Sequence, residues 1–167
     1  QLKAAQAQIR HLAYHDPLTN LPNRALLMDR LSQQSSLLQR HNLRGALLFL
    51  DLDHFKHIND SLGHPVGDSV LKIITARLEA SVRHEDTVAR LGGDEFVVLL
   101  TGLKGSLEAV TRADGVHNLG DREPGAVATF TGTGVIGAFG TELDHHQRAA
   151  PVQIEPGDLL GGLQTAQ

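Results

Sequence analysis

The chain has no cysteine and no tryptophan, one tyrosine and one methionine, and aromatic residues make up only 4% of it. Without cysteine there is no disulfide and no thiolate metal site, which fits a cytoplasmic chain. No apolar run is long enough to span a bilayer, and no secretory leader is visible, so no direct membrane contact is expected. Neither sign of charge dominates: 15 Lys and Arg stand against 19 Asp and Glu, a formal net charge of −4. That balance gives no footing for nucleic acid or an anionic membrane surface as a partner. What remains is an ordinary globular composition, 41% hydrophobic and 20% charged. A length of 167 residues suggests one domain able to bury roughly 70% of its unfolded surface. A first residue of Gln rather than Met leads us to expect a fragment of a longer protein.

Periodicity sets out the elements. Leu2 and Ile9, and Ala5 and Leu12, are each seven apart, an a/d seam on a short helix that also reads as a plain amphipathic end. Asp16-Pro17 stops it. Asn20-Leu21-Pro22-Asn23 is a turn, and Asn23 is placed to cap a helix from about Arg24 to Gln39 with Leu27, Leu31 and Leu38 on one face. Ala46–Leu52 is apolar without alternation until Asp51, as in a central strand buried on both faces. Residues 54–67 read as a loop or short helical segment. A helix is predicted from Asp68 to about Val82, on Val70, Ile74, Leu78 and Val82. Thr87–Leu91 and Phe96–Leu100 flank a Gly-Gly turn and make a hairpin. The order predicts an α/β or α+β sandwich with helices packed on a sheet.

The chemistry gathers at strand ends. Asp51 and Asp53 close one strand, and Asp94 and Glu95 stand at the tip of the hairpin after Gly92 and Gly93. Carboxylates at strand ends contribute nothing to a packed sheet. Either they are solvated turn residues or they hold a hard cation such as Mg²⁺, which takes one or two carboxylates plus substrate phosphates. Two such ends in one chain favour the cation. Lys56 is placed for phosphate. Asn59 and Asp68 offer the acceptors and donor that a guanine edge matches, although either also reads as a turn or cap residue. Arg83 and Asp86 form an Arg-x-x-Asp pair that alone reads as a helix-end ion pair.

Four segments together resemble the GGDEF family of diguanylate cyclases: Asp16-Pro17-Leu18-Thr19-Asn20-Leu21-Pro22-Asn23-Arg24, Phe49 to Asp60, Gly63-His64-Pro65-Val66-Gly67-Asp68, and Arg90-Leu91-Gly92-Gly93-Asp94-Glu95-Phe96. The resemblance implies a mostly antiparallel central sheet with flanking helices, similar to nucleotidyl cyclases and polymerase palms. It implies condensation of two GTP into cyclic di-GMP and two pyrophosphates at the interface of a homodimer, downstream of a sensor domain. By matched position, Asp51, the Leu52 carbonyl and Asp94 would hold two Mg²⁺ or Mn²⁺, with Glu95 as catalytic carboxylate. His54, Phe55, Lys56, Gly92 and Gly93 would line the phosphates, and Asn59 and Asp68 would read guanine. Arg83 and Asp86 match the family's inhibitory site for its product, cyclic di-GMP.

The resemblance divides the chain into a signalling coiled-coil helix (1–13), a core (14–111) and a segment 112–167 that departs from the family pattern and is expected to be irregular. Ten of the 17 glycines fall within 109–167, and Lys104 is the last lysine. A helix from Ser106 is expected to stop at Asp114-Gly115, and Gly132 and Gly134 weaken a strand at Thr129–Ile136. The strand that should accompany the hairpin, and the basic residues that should follow it, are not recognisable. The alternative to a working cyclase is therefore an impaired module that binds GTP or cyclic di-GMP.

Overall fold

The computed structural model describes residues 2–117 and the backbone of 130–139. Helix α1 (Leu2–Tyr14) leads through a turn to α2 (Arg24–His41), then β1 (Arg44–Leu52), α3 (Phe55–Leu62), α4 (His64–Ser81), β2 (Thr87–Gly92), β3 (Glu95–Leu103), α5 (Ser106–His117) and β4 (Phe130–Phe139). The strands form one antiparallel sheet in the order β2-β3-β1-β4.

The unbroken apolar run of β1 has the expected consequence. Leu47 and Leu48 are both fully buried, on opposite faces of the sheet. Ala46, Leu48, Leu50 and Leu52 join Val70, Leu71, Ile74 and Leu78 of α4 and Ala109, Ala113 and Val116 of α5. Leu47 joins Leu27, Leu31 and Leu38 of α2 with Ala89, Val97 and Leu99. The result is an α/β sandwich, with α2 on one face and α3, α4 and α5 on the other. Helix α1 stands apart: none of its residues is buried.

Three of the differences from the sequence expectation have a clear physical reason. Helix α4 begins at His64, not at Asp68, because Pro65 fits a first helical turn and Gly63, at φ +89°, takes the boundary. Asp68 is therefore inside the helix and caps nothing. Helix α5 runs through Asp114-Gly115 to His117, because Ala109, Ala113 and Val116 bury one face. That packing offsets the roughly 1 kcal/mol a mid-helix glycine costs. Residues 130–139, in the segment expected to be irregular, form β4 despite their glycines, since pairing with β1 uses backbone groups alone. The strand lies against β1 on the side away from the hairpin, not beside the hairpin as expected.

Candidate active site

The β1–β3 register sets Asp51 opposite Glu95, so the end of β1 lies against the start of the hairpin strand. On its other side Asp51 pairs with Thr131 of β4. The hairpin between Gly92 and Glu95 turns through Gly93, whose φ of +48° is a conformation that suits glycine. That turn brings Asp94 onto Asp51. The Asp51 pKa is raised by partial burial, by a hydrogen bond to the Asp94 carboxyl, and by the charges of Asp94 and Glu95, against a hydrogen bond from the Leu52 backbone. Like charges have been brought together, and among the described residues no cationic side chain is among the causes that shift Asp51. This donor set suits a divalent cation, which would relieve the repulsion. Among the described residues no three metal-ligating side chains converge, so a cation here would complete its shell with backbone carbonyl, water or phosphate.

Just past β1 the chain turns at His54, held in the left-handed region at φ +58°. A non-glycine residue there costs free energy and is common at ligand-binding turns. His54 makes no side-chain cap to α3, so the first N–H groups of that helix meet no capping side chain beside the carboxylates. Phe55 is buried beneath, and Lys56 is exposed at the same helix start.

Asn59 and Gly67 pack against each other where α3 meets α4. A Cβ on Gly67 would lie 1.8 Å from Asn59 Oδ1 and 3.3 Å from Phe55 Cζ. Asn59 Oδ1 is buried and, among the described residues, has no hydrogen-bond partner. A buried orphan acceptor is costly, and a ligand donor would satisfy it. Asp68, exposed on α4, follows Gly67 directly.

Arg83 and Asp86 lie elsewhere, in the turn between α4 and β2. Asp86 is buried and committed internally. One oxygen accepts the Thr101 N–H at 3.0 Å. The other accepts the Arg83 N–H at 2.8 Å and pairs with the Arg112 guanidinium of α5. The Arg83 side chain is half exposed and reaches Glu108 at 3.4 Å.

The family model of the diguanylate cyclase GGDEF domain matches residues 13–150. The chain belongs to the GGDEF domain family. The match takes in α5 and β4, beyond residue 112. This GGDEF domain is 47% identical over 116 residues to diguanylate cyclase TpbB of Pseudomonas aeruginosa, covering 70% of this chain and 27% of that protein. It thus spans about a quarter of the length of that relative. The solved GGDEF domain of TpbB superposes with a TM-score of 0.67 at 35% identity, over 90% of this chain and 84% of that one. The coiled coil and GGDEF domain of DgcB from Caulobacter crescentus, solved with cyclic di-GMP, superposes with a TM-score of 0.64 at 26% identity, over 79% and 70%.

Sequence reasoning passed over three residues of this GGDEF domain that the structure makes prominent. Arg112 is one of three arginines after Lys104, and only its pairing with Asp86 singles it out. Asp16 and Arg90 were letters in motifs, yet they meet as an ion pair 74 residues apart. No local spacing signals such a contact.

Proposed function

We propose that this GGDEF domain is a diguanylate cyclase. The observation that carries the reading is the meeting of Asp51 and Asp94 across β1 and the hairpin, with the Asp51 pKa raised by burial and by its neighbour. Asp51, Asp94 and the Leu52 carbonyl would hold two Mg²⁺ or Mn²⁺, which neutralise a triphosphate and lower the pKa of a ribose hydroxyl. The first N–H groups of α3 and Lys56 receive phosphate oxygens, and Gly92 and Gly93 leave the hairpin open to them. Guanine donates to Asn59 Oδ1 and to Asp68, which removes the orphan acceptor. Glu95 takes the proton of the 3′-hydroxyl or supports the cation site. Each 3′-oxygen forms a bond to the α-phosphorus of the facing GTP while that phosphorus loses its bond to pyrophosphate, so two bonds form, two break and two pyrophosphates leave.

Each domain holds one GTP, so two must face each other. Helix α1 supports that geometry, since Leu2, Ile9 and Leu12 are 58–76% exposed and carry heptad spacing that a second copy would cover. An upstream sensor would act through this helix. GTP as substrate sets the cytoplasm as the compartment.

For product inhibition, the half-exposed Arg83 offers a fork for guanine O6 and N7. Asp86 has both oxygens engaged, so it supports Arg83 through the turn rather than meeting product first.

Incubation of the purified chain with GTP and Mg²⁺, followed by chromatography of the nucleotides, tests the reading. Cyclic di-GMP that vanishes in Asp94→Ala supports it. A folded chain that yields none points to the second reading, a module that binds GTP or cyclic di-GMP. The observation favouring that reading is the lack of any lysine after Lys104 for the triphosphate.

A further inference from the structure

The end of α1 carries two histidines that the cyclase reading does not use. His11 lies in the last turn of the helix, and His15 follows the helix and pairs its backbone with Pro22. Residues four apart at a helix end stand on one face. Here the two rings are stacked, with centroids 4.1 Å apart and planes 8° apart. His11 is exposed and His15 half-buried, so core packing does not account for the pairing.

Each ring commits one nitrogen to an oxygen. His15 Nδ1 lies 3.3 Å from the His11 backbone carbonyl, and His11 Nε2 lies 2.5 Å from Asn20 Oδ1. Both oxygens only accept, so both of these nitrogens carry protons. In the neutral rings His11 Nδ1 and His15 Nε2 are then lone-pair donors, and among the described residues neither has a partner. A metal-ligating histidine is commonly held in this way: an oxygen fixes one ring N–H, which sets the tautomer and leaves the other nitrogen for the ion.

We propose that His11 and His15 form a two-histidine site for a borderline transition-metal ion such as Zn²⁺ or Ni²⁺, which clamps the end of α1 onto the turn that follows it. Imidazole suits these ions, whereas the oxygen ligands at Asp51 and Asp94 suit Mg²⁺. Parallel rings direct their lone pairs side by side, so one ring tilts for both to meet one ion. The terminal torsion of histidine is soft, and the exposed His11 has room to turn about it. No third His, Cys, Asp or Glu converges there among the described residues, so water fills the remaining positions. Helix α1 buries none of its residues, so a bond through the metal adds to a joint otherwise made by polar contacts such as that of Asn23 Nδ2 with the Ala13 carbonyl. The inference does not rest on the cyclase reading, since neither histidine belongs to the carboxylate site.

The test titrates Ni²⁺ into the full chain by calorimetry, with excess Mg²⁺ present to occupy the carboxylates. The same titration is run on His11→Gln, His15→Gln and Asn20→Gly. The last removes the amide that holds His11 while keeping a backbone at φ +62°. The chain has ten histidines, so the difference between proteins is read rather than the total. One equivalent present in the unmodified chain should be lost in both histidine variants and bound about 10-fold more weakly in Asn20→Gly. Hydrogen exchange at the amides of residues 11–15 should slow on adding Ni²⁺ to the unmodified chain and not to either histidine variant. Equal binding by the unmodified chain and His11→Gln overturns the site, and so does a lack of binding by the unmodified chain. Binding that leaves exchange at 11–15 unchanged overturns the clamp. His11→Gln alters an exposed helical position, so it decides the matter even if His15→Gln does not fold, with circular dichroism before metal is added as the check.

Discussion

Asp51 and Asp86 are the same side chain in opposite circumstances. Asp86 is sunk beneath the turn before β2 and accepts from Thr101, Arg83 and Arg112. Asp51 stands exposed at the far end of β1, pressed against Asp94, with a raised pKa. One region spends its carboxylate on holding the fold, and the other leaves a pair in mutual repulsion. A fold keeps such repulsion only where something else gains from it, so the unsatisfied pair is the better candidate for chemistry.

The sharpest way to break this contrast is to remove one charge from each region. Asp94→Ala should cut formation of cyclic di-GMP by at least about 10²- to 10³-fold, the scale of losing a stabilising group at a reacting centre. Its effect on stability should stay within about 0.5 kcal/mol, because the contact its carboxyl loses is the one to Asp51, a hydrogen bond opposed by like-charge repulsion at an exposed strand end. Thermal unfolding without metal and an endpoint nucleotide assay separate the two effects. A large drop in melting temperature would mean that the Asp51–Asp94 pair supports the fold after all.

Asp86→Ala should do the reverse. It strands the Arg112 guanidinium, one of whose buried nitrogens already has no partner among the described residues, and orphans the Thr101 N–H. Losing one member of a buried pair costs about 3–5 kcal/mol, readable as a lower urea midpoint. A variant as stable as the unmodified chain would show that the Asp86 contacts hold nothing.

This contrast was only partly legible in the sequence. The central position of β1 could be read from its unalternating run, and the capping of α2 by Asn23 from its position; Asn23 indeed accepts the Leu26 N–H at 3.1 Å. The meeting of Asp51 with Asp94 could be anticipated from two strands with acidic ends. The environment of Asp86 could not, because its partners come from β3 and α5, and spacing along the chain says nothing of contacts 15 and 26 residues apart. The same limit hid Asp16 and Arg90. The glycine-based doubts about α5 and β4 failed for a different reason. Local propensity is a weak prior, and packing by Ala109, Ala113 and Val116, or pairing with an already buried strand, overrides it.

A smaller perturbation probes the guanine side of the candidate site. Gly67→Ala places a methyl 1.8 Å from Asn59 Oδ1, so the amide must swing away or α4 must shift from α3. Overpacking of this kind costs about 1–3 kcal/mol. Affinity for GTP should fall further than stability, because the displaced group is the proposed reader of guanine. Titration of GTP and Mg²⁺ followed by thermal shift checks it. Equal affinity in the variant would remove Asn59 from the site.

The smallest effect expected is that of pH on the Asp16–Arg90 link. Burial pushes the Asp16 carboxyl up, but hydrogen bonds from Thr19 and Arg90, with the charge of Arg90, outweigh it and hold the pKa below the ordinary 3.8. A carboxylate whose pKa is lower in the folded state stabilises the fold above its unfolded pKa. That contribution is lost as pH falls through the folded value. The stability difference between the unmodified chain and Asp16→Asn should therefore be constant from pH 7 to about pH 5, and should shrink only below about pH 4, near the unfolded pKa of a carboxylate. Urea unfolding of both proteins across that range reads it directly. A difference that persists unchanged to the lowest pH at which both remain folded would mean that the side chain acts through the Thr19 turn by shape alone, and that its charge does not contribute to holding Arg90.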